Sequence, residues 1–245
     1  MRVGFLIMDA AGVTGKDSPF MKLEVRRAMN HAINRELIVK NIARGTSKAI
    51  HSACHPVQFG CPQDVRKYAY DPGKAKKLLE KAGYPNGFEV DMWAYRDREV
   101  AEAIVADLAK VGIRAKLRYV KLSTIVSARK SLAIRLFFGS WGSGGTSDSS
   151  MIAGPHFSPT SNRNMSGDEE VGKHIMAGES TLDPQMRLDA YKKGFGLIAE
   201  RAYWVPLYSH TQFLSRLAGT EFSTTEGWFA AVVPPKMEVD SYYNP

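Results

Sequence analysis

An α/β fold is predicted by three features of the sequence: a strand, helix, strand run between residues 88 and 120, a further apolar strand after it, and amphipathic helices on either side of that block. A sizeable core is within reach, because 44% of the 245 residues are hydrophobic and 24% are charged, close to the globular average. The length admits either one or two domains.

The opening run Met1 to Met8 is too short for a signal-peptide core and reads as a strand. No stretch approaches the roughly 18 apolar residues of a membrane span. Val25, Ala28, Met29, Ala32 and Ile33 then recur at spacings of three and four, an amphipathic helix. A second helical run through Leu37, Ile38 and Ile42 follows Asn34 and stops at Gly45. Residues 46 to 70 lack a period and contain Pro56, Gly60 and Pro62, which predicts a long surface loop. Asp71-Pro72 opens a helix in the order cap then proline, with Ala75, Leu78, Leu79 and Ala82 as its stripe and Gly83 as its stop.

Residues 88 to 93 alternate as a half-buried strand, Val100 to Val111 carries a helical stripe, and Ile113 to Val120 alternates again. A crossover of this kind predicts parallel pairing. Leu132 to Phe138 is the next strand, ended by the run Gly139 to Gly145. Residues 168 to 201 are helical, the second helix starting at Asp183-Pro184 with the stripe Leu188, Tyr191, Phe195, Ile198. Trp204 to Tyr208 is a short strand. From Ser223 the chain has no helical period, and Pro234-Pro235 excludes a central strand.

The net charge of +8 raises the question of nucleic acid. The basic residues are scattered, however. The densest, Arg26-Arg27, Lys74 to Lys77 with Lys81, and Lys192-Lys193, lie in helical patterns beside Glu24, Glu80 and Asp189 and read as solvated faces, so no nucleic-acid partner is expected. Enzyme motifs are absent as well: there is no Gly-x-Ser-x-Gly, no Gly-x-x-x-x-Gly-Lys and no His-Glu-x-x-His. Asp168-Glu169-Glu170 suits a helix start, and His156, His174 and His210 read as structural. No catalytic residue and no cofactor is assigned.

Several ordered blocks carry a resemblance. They are Pro19-Phe20 with Val25-Arg26-Arg27-Ala28 and Ala32-Ile33-Asn34-Arg35; Tyr70-Asp71-Pro72 with Ala75-Lys76, Leu78-Leu79 and Ala82-Gly83-Tyr84; Leu136 to Gly142; and Asp183-Pro184 with Arg187, Tyr191, Ile198 and Val205-Pro206-Leu207-Tyr208. Together they resemble the C-terminal lobe of a family 5 extracellular solute-binding protein, the peptide- and nickel-type component of ABC importers. The resemblance implies a periplasmic-binding-protein-like fold of the second type, in which this lobe is a mixed sheet flanked by helices. Two lobes would close on a small-molecule solute, an oligopeptide or related compound, and a membrane permease would be the partner. Residues 1–222 would form the second lobe, 223–245 would return toward a missing N-terminal lobe, and Met1 would be an artificial start. The implied location is periplasmic or extracellular, with a membrane anchor compatible with the whole protein.

On the same basis Trp141, inside Gly139-Ser140-Trp141-Gly142-Ser143-Gly144-Gly145, is similar to the family's cleft tryptophan, with Gly142 and Gly144 letting backbone approach a ligand. The alternative is a packed tryptophan beside a flexible turn. Peptide-binding relatives place an aspartate shortly after this tryptophan; here Asp148 comes several residues later. Tyr95 and Arg96 lie between a strand and the next helix, where α/β sheets hold ligands. A bidentate Arg96 suits a carboxylate or phosphate, and it equally suits a loop charge paired with Asp97 or Glu99. The polar run Asn162, Arg163, Asn164 is a further cleft candidate. Cys54 and Cys61, near His51 and His55, match no standard zinc spacing. For a secreted protein a disulfide is the simpler reading, worth about 2 to 3 kcal/mol for so short a loop, with metal binding and free thiols as alternatives. The rival function is an enzyme of unknown class with its site at the same strand ends.

Overall fold

The computed structural model of the chain describes residues 1–43, 45–144, 146–211, 222–224 and 230–232. Its elements in order are β1 (Arg2–Met8), α1 (Leu23–Ala32), α2 (Arg35–Ile38), α3 (Pro72–Lys81), β2 (Glu89–Ala94), α4 (Arg98–Ala109), β3 (Arg114–Tyr119), α5 (Leu122–Lys130), β4 (Leu136–Gly142), α6 (Ser150–Phe157), α7 (Glu169–Glu179), α8 (Pro184–Glu200) and β5 (Trp204–Ser209). The Asp-Pro signals act as caps: Asp71 accepts from the Lys74 amide at 2.8 Å and Asp183 from the Met186 amide at 2.8 Å. Asp168 caps α7 in the same way, accepting from Glu170 and Val171.

Five strands form one mixed sheet in the order β3-β2-β4-β1-β5. The crossover from β2 through α4 returns β3 parallel to β2, and β4 is also parallel to β2, whereas β1 runs antiparallel to both β4 and β5. Alternation then divides the core in two. Leu6, Met8, Val90, Met92, Leu136, Phe138, Val205 and Leu207 face α1, α3 and α4. Val3, Phe5, Ile7, Phe137 and Trp204 face α5, α6, α7 and α8. Helices thus cover both faces of a mixed sheet, as the resemblance implies. A separate antiparallel ribbon joins β6 (Phe222–Thr224) and β7 (Ala230–Val232). The Ser223 tail therefore contains strand pairing that its irregular composition did not predict. Pro234-Pro235 lies outside the described residues.

Other expectations need correction. The strand expected at Leu132 to Phe138 runs from Leu136 to Gly142, through the first glycines. Residues 132–135 instead close α5, with Leu132 at φ 55° and the Ala133 amide bonded to the Ala128 carbonyl. Gly139 fits this strand because a Cβ there would lie 2.4 Å from the Phe137 ring. The second helical run is one α-turn continuing as a π-helical stretch, Val39–Ala43, and Leu37 and Leu188 face outward. The 46–70 segment is irregular but not superficial: Ile50, Ala53, Cys54, Gln58, Val65 and Tyr68 are buried, and Cys54 is joined to Cys61 in a disulfide.

The largest correction concerns Arg26, expected on a solvated face and found buried. Its guanidinium donates to the carbonyls of Phe20, Met21 and Arg201 and lies 4.9 Å from the centre of the Tyr203 ring. Arg26 belongs to a ladder along the outer edge of β5. Asn30 Nδ2 donates to the Trp204 carbonyl at 3.0 Å, Arg35 Nε to the Pro206 carbonyl at 2.6 Å, and after a bulge the Ile50 amide reaches the Leu207 carbonyl at 3.1 Å. Pro206 sits on this edge strand, where its missing N–H breaks no ladder bond.

Arg35 also donates to the Asn30 carbonyl and side chain, at 2.9 and 2.7 Å. It is fully enclosed, and burial lowers its guanidinium to about 10. Replacing it leaves buried carbonyls without donors. Arg35→Met is expected to lower stability by about 3 to 5 kcal/mol in urea denaturation, with Arg35→Lys recovering only part because an ammonium cannot match the fork. A loss below about 1 kcal/mol would refute this role.

Candidate functional site

At the C-terminal ends of β2 and β4 the sheet opens into a cavity of about 570 Å³, a size typical of small-ligand sites. Its floor is Phe5, Phe137, Trp141 and His156; α5 contributes Ile125 and Arg129 to one wall, and the 161–165 loop brings Arg163 to the other. Val13 and Thr14 complete the rim. They are held there by buried Asp9, whose carboxylate accepts from the amides of Val13 and Thr14 and from the Thr14 hydroxyl.

Trp141 stands on β4 opposite Val3 of β1 and is half-buried. Its indole N–H donates to the Met151 carbonyl. That carbonyl is open for a specific reason. In α6 it would normally accept from residue 155, four positions on, but residue 155 is proline and has no N–H. Pro155 therefore leaves an acceptor that fixes the tryptophan, and Trp141 offers a ligand its π surface and not its donor. His156, the next residue, packs edge-on against Trp141, Trp204 and Phe5, with centroids 4.7, 4.9 and 5.7 Å away. Its Nδ1 lies 3.1 Å from the Ile152 carbonyl, which only accepts, so that nitrogen carries the ring proton. Burial lowers His156 to about 3, leaving it neutral.

Beside Trp141, Ser140 accepts hydrogen bonds from Nη1 of Arg2 at 2.9 Å and Nη1 of Arg96 at 3.0 Å. A hydroxyl has two acceptor positions and one proton. With both lone pairs engaged, Ser140 has only its O–H left to offer. The group as a whole presents donors. Burial first, and then the neighbouring Arg96 charge, lower Arg2 from its ordinary value. The acid in this cluster is Asp97, at φ 49° in the turn before α4. Its carboxylate accepts from the Tyr208 hydroxyl at 3.1 Å, with Arg96 Nε at 3.4 Å and His210 Nε2 at 3.6 Å.

Trp141 and Tyr95 line the cavity; Arg96 and Arg2 do not, and Arg96 meets them only through its hydrogen bond to Ser140 and its stacking over Tyr95, 6.0 Å from the ring centre. Gly142 lies against the Arg2 guanidinium, and Gly144, at φ 59°, occupies the following turn; neither lines the cavity. Asp148 is held elsewhere, with its carboxylate paired to Arg187 at 2.9 Å and accepting from the Ser150 amide. Arg2, Ser140, Arg129 and Thr14 went unread. Arg2 had no pattern around it, while α5 conceals Arg129 because Thr124, Ile125 and Val126 are poor helix formers and only Ile125 and Ala128 are buried.

Among the described residues no group of three or more His, Cys, Asp or Glu is poised to hold a metal, and no helix is long and apolar enough to cross a membrane.

Residues 1–164 match the family described as bacterial extracellular solute-binding proteins, family 5, in its middle region. The glutathione-binding protein GsiB of Salmonella paratyphi A is 29% identical over 203 residues, covering 77% of this chain and 40% of that protein. Heme-binding protein A of Haemophilus influenzae is 27% identical over 201 residues, covering 78% of this chain and 37% of that protein. In three dimensions the periplasmic binding protein DppA of Helicobacter pylori, solved with the peptide STSA, superposes with a TM-score of 0.76 at 25% identity, covering 84% of this chain and 41% of that one. The chain spans about 40% of the length of the curated relatives it matches.

Burial also lowers His51, His55 and His210, each to about 4. An unfolded chain takes up protons on these rings near pH 6.5 and the folded one does not, so stability is complete above pH 6.5 and falls as pH drops toward 4. Urea midpoints measured from pH 7 to pH 4 are expected to decline, His156 alone contributing up to about 1.4 kcal/mol per pH unit. His156→Phe should flatten the decline; an unchanged slope would show that its ring is charged in the folded state.

Proposed function

The chain belongs to the bacterial extracellular solute-binding proteins of family 5, and from that premise we propose that it is a ligand-enclosing lobe of an ABC importer's solute-binding component. The ligand is a small solute, an oligopeptide or related compound, held between this lobe and a first lobe that precedes it in the whole protein. Closure of the two lobes is the signal a membrane permease reads. The lobe is a binding element and not an enzyme, and it works outside the cytoplasm.

The observation that carries this reading is the juxtaposition of fixed aromatic surface with convergent donors. Tyr95 and Trp141 supply the surface, and Arg2, Arg96 and the Ser140 O–H supply the donors. Such a set binds an acidic group of a solute with charge-assisted hydrogen bonds and holds its body by stacking. The enzyme alternative finds less support. Ser140 faces two guanidinium groups and no base, and the His156 ring on the cavity floor is neutral and packed among aromatics.

Native mass spectrometry of the whole protein purified from its host is expected to detect a bound solute. Arg96→Ala and Trp141→Ala should each reduce affinity for the released solute by about 10- to 100-fold. If no solute is found, or if it remains bound with equal affinity in both variants, the proposal fails.

A further inference from the structure

The cavity beyond the Ser140 cluster has features that the binding reading leaves unused. Arg129 and Arg163 flank it, each lying over an aromatic ring of its floor. The Arg129 guanidinium is 4.9 Å from the centre of Phe137 and that of Arg163 is 5.2 Å from the centre of Trp141. Among the described residues neither forms an ion pair or a side-chain hydrogen bond. Burial lowers the Arg129 guanidinium from its ordinary value, and the Arg163 charge lowers it further; with Lys130 these two guanidiniums line a cavity whose lining contains no acid. By contrast, Arg187 is paired with Asp148 and Arg201 with Asp168.

The cavity mouth is unusual in the opposite sense. Val13, Leu122, Val126 and Leu132 are 41%, 54%, 49% and 54% exposed, and all four line it. Large apolar side chains exposed singly need no explanation; four around one opening do. An occupant that covers them must be apolar there, and one that satisfies the two guanidiniums must carry negative charge.

The geometry points to a second anionic subsite, in which the cavity receives an apolar, preferably planar portion of the solute and Arg129 and Arg163 together hold an acid group on that portion. This deepens the function proposed above and rests on it: the imported solute is an organic acid with a hydrophobic body. The aromatic rings already beneath the guanidiniums orient both forks and reduce the ordering required when the acid arrives.

The test uses ligand-observed NMR on the full chain with probes that differ only in charge. The first pair is 1-naphthaleneacetate and 1-naphthaleneacetamide; the second is Gly-Phe-Glu and Gly-Phe-Gln. In at least one pair the acid is expected to bind about tenfold more tightly than its amide. Arg129→Met and Arg163→Met should each bring the ratio toward unity, and Arg163→Lys should keep most of it. Discrimination in the first pair alone assigns the acid to a free small molecule, and in the second alone to a side chain of a peptide. Arg163 lies on an exposed loop, so its variant still tests the idea if Arg129→Met does not fold. Equal binding within both pairs, no binding of either acid, or a preference that survives both Met variants overturns the subsite. A host solute that co-purifies and depends on Arg96, yet is neutral in its apolar part, overturns this inference while leaving the proposed function standing.

Discussion

A five-stranded sheet with β5 at its edge exposes a row of backbone carbonyls, and the rest of the molecule depends on how that row is covered. Arg26, Asn30 and Arg35 reach the carbonyls of Arg201, Trp204 and Pro206, and the segment after α2 adds its own backbone beyond the bulge. The ladder ties α1 and the long irregular segment to the last strand, and β5 in turn backs β1. β1 carries Arg2 and pairs with the part of β4 that bears Ser140 and Trp141. The candidate site therefore inherits its rigidity from an edge on the far side of β1. The opposite edge is managed differently: β3 exposes Arg114, Lys116 and Arg118, a charged margin that discourages pairing with another chain.

Two departures from regular structure shape the site. Pro155 interrupts the hydrogen bonding of α6, and the freed Met151 carbonyl holds the Trp141 indole. Asp97 occupies a left-handed conformation in the turn before α4, with Tyr208 donating to its carboxylate. Residues held in such regions are maintained by their surroundings and cluster at functional places. The outcome is an aromatic floor whose Trp141 N–H and His156 Nδ1 are already bonded to protein, bordered by guanidiniums in excess of acids.

Periodicity made much of the fold legible. The stripes of α1, α3 and α4, the Asp-Pro starts of α3 and α8, and the crossover between β2 and β3 follow from spacing that burial against a sheet requires. Where spacing carried no signal the reading stopped. α5 buries a thin stripe of two residues, and α6 contains both glycine and proline, so neither helix was expected, although between them they supply Arg129, His156 and the anchor of Trp141. Charge was harder still, since nothing in Arg26-Arg27 indicates that one guanidinium lies under a tyrosine while its neighbour meets Glu200 at the surface. Trp141 and Arg96 were visible because the glycine run and the strand-to-helix turn mark their places; Arg2 and Ser140 matter only through the pairing of distant strands.

That pairing also orders events in time. β1 is formed from residues 2–8, yet both of its neighbours come much later in the chain, at 136–142 and 204–209. No short hairpin can nucleate the middle of this sheet. During synthesis β1 has neither sheet neighbour until β4 at 136–142 is made, and the middle of the sheet is complete only after β5 at 204–209. Topologies built on such distant contacts fold slowly.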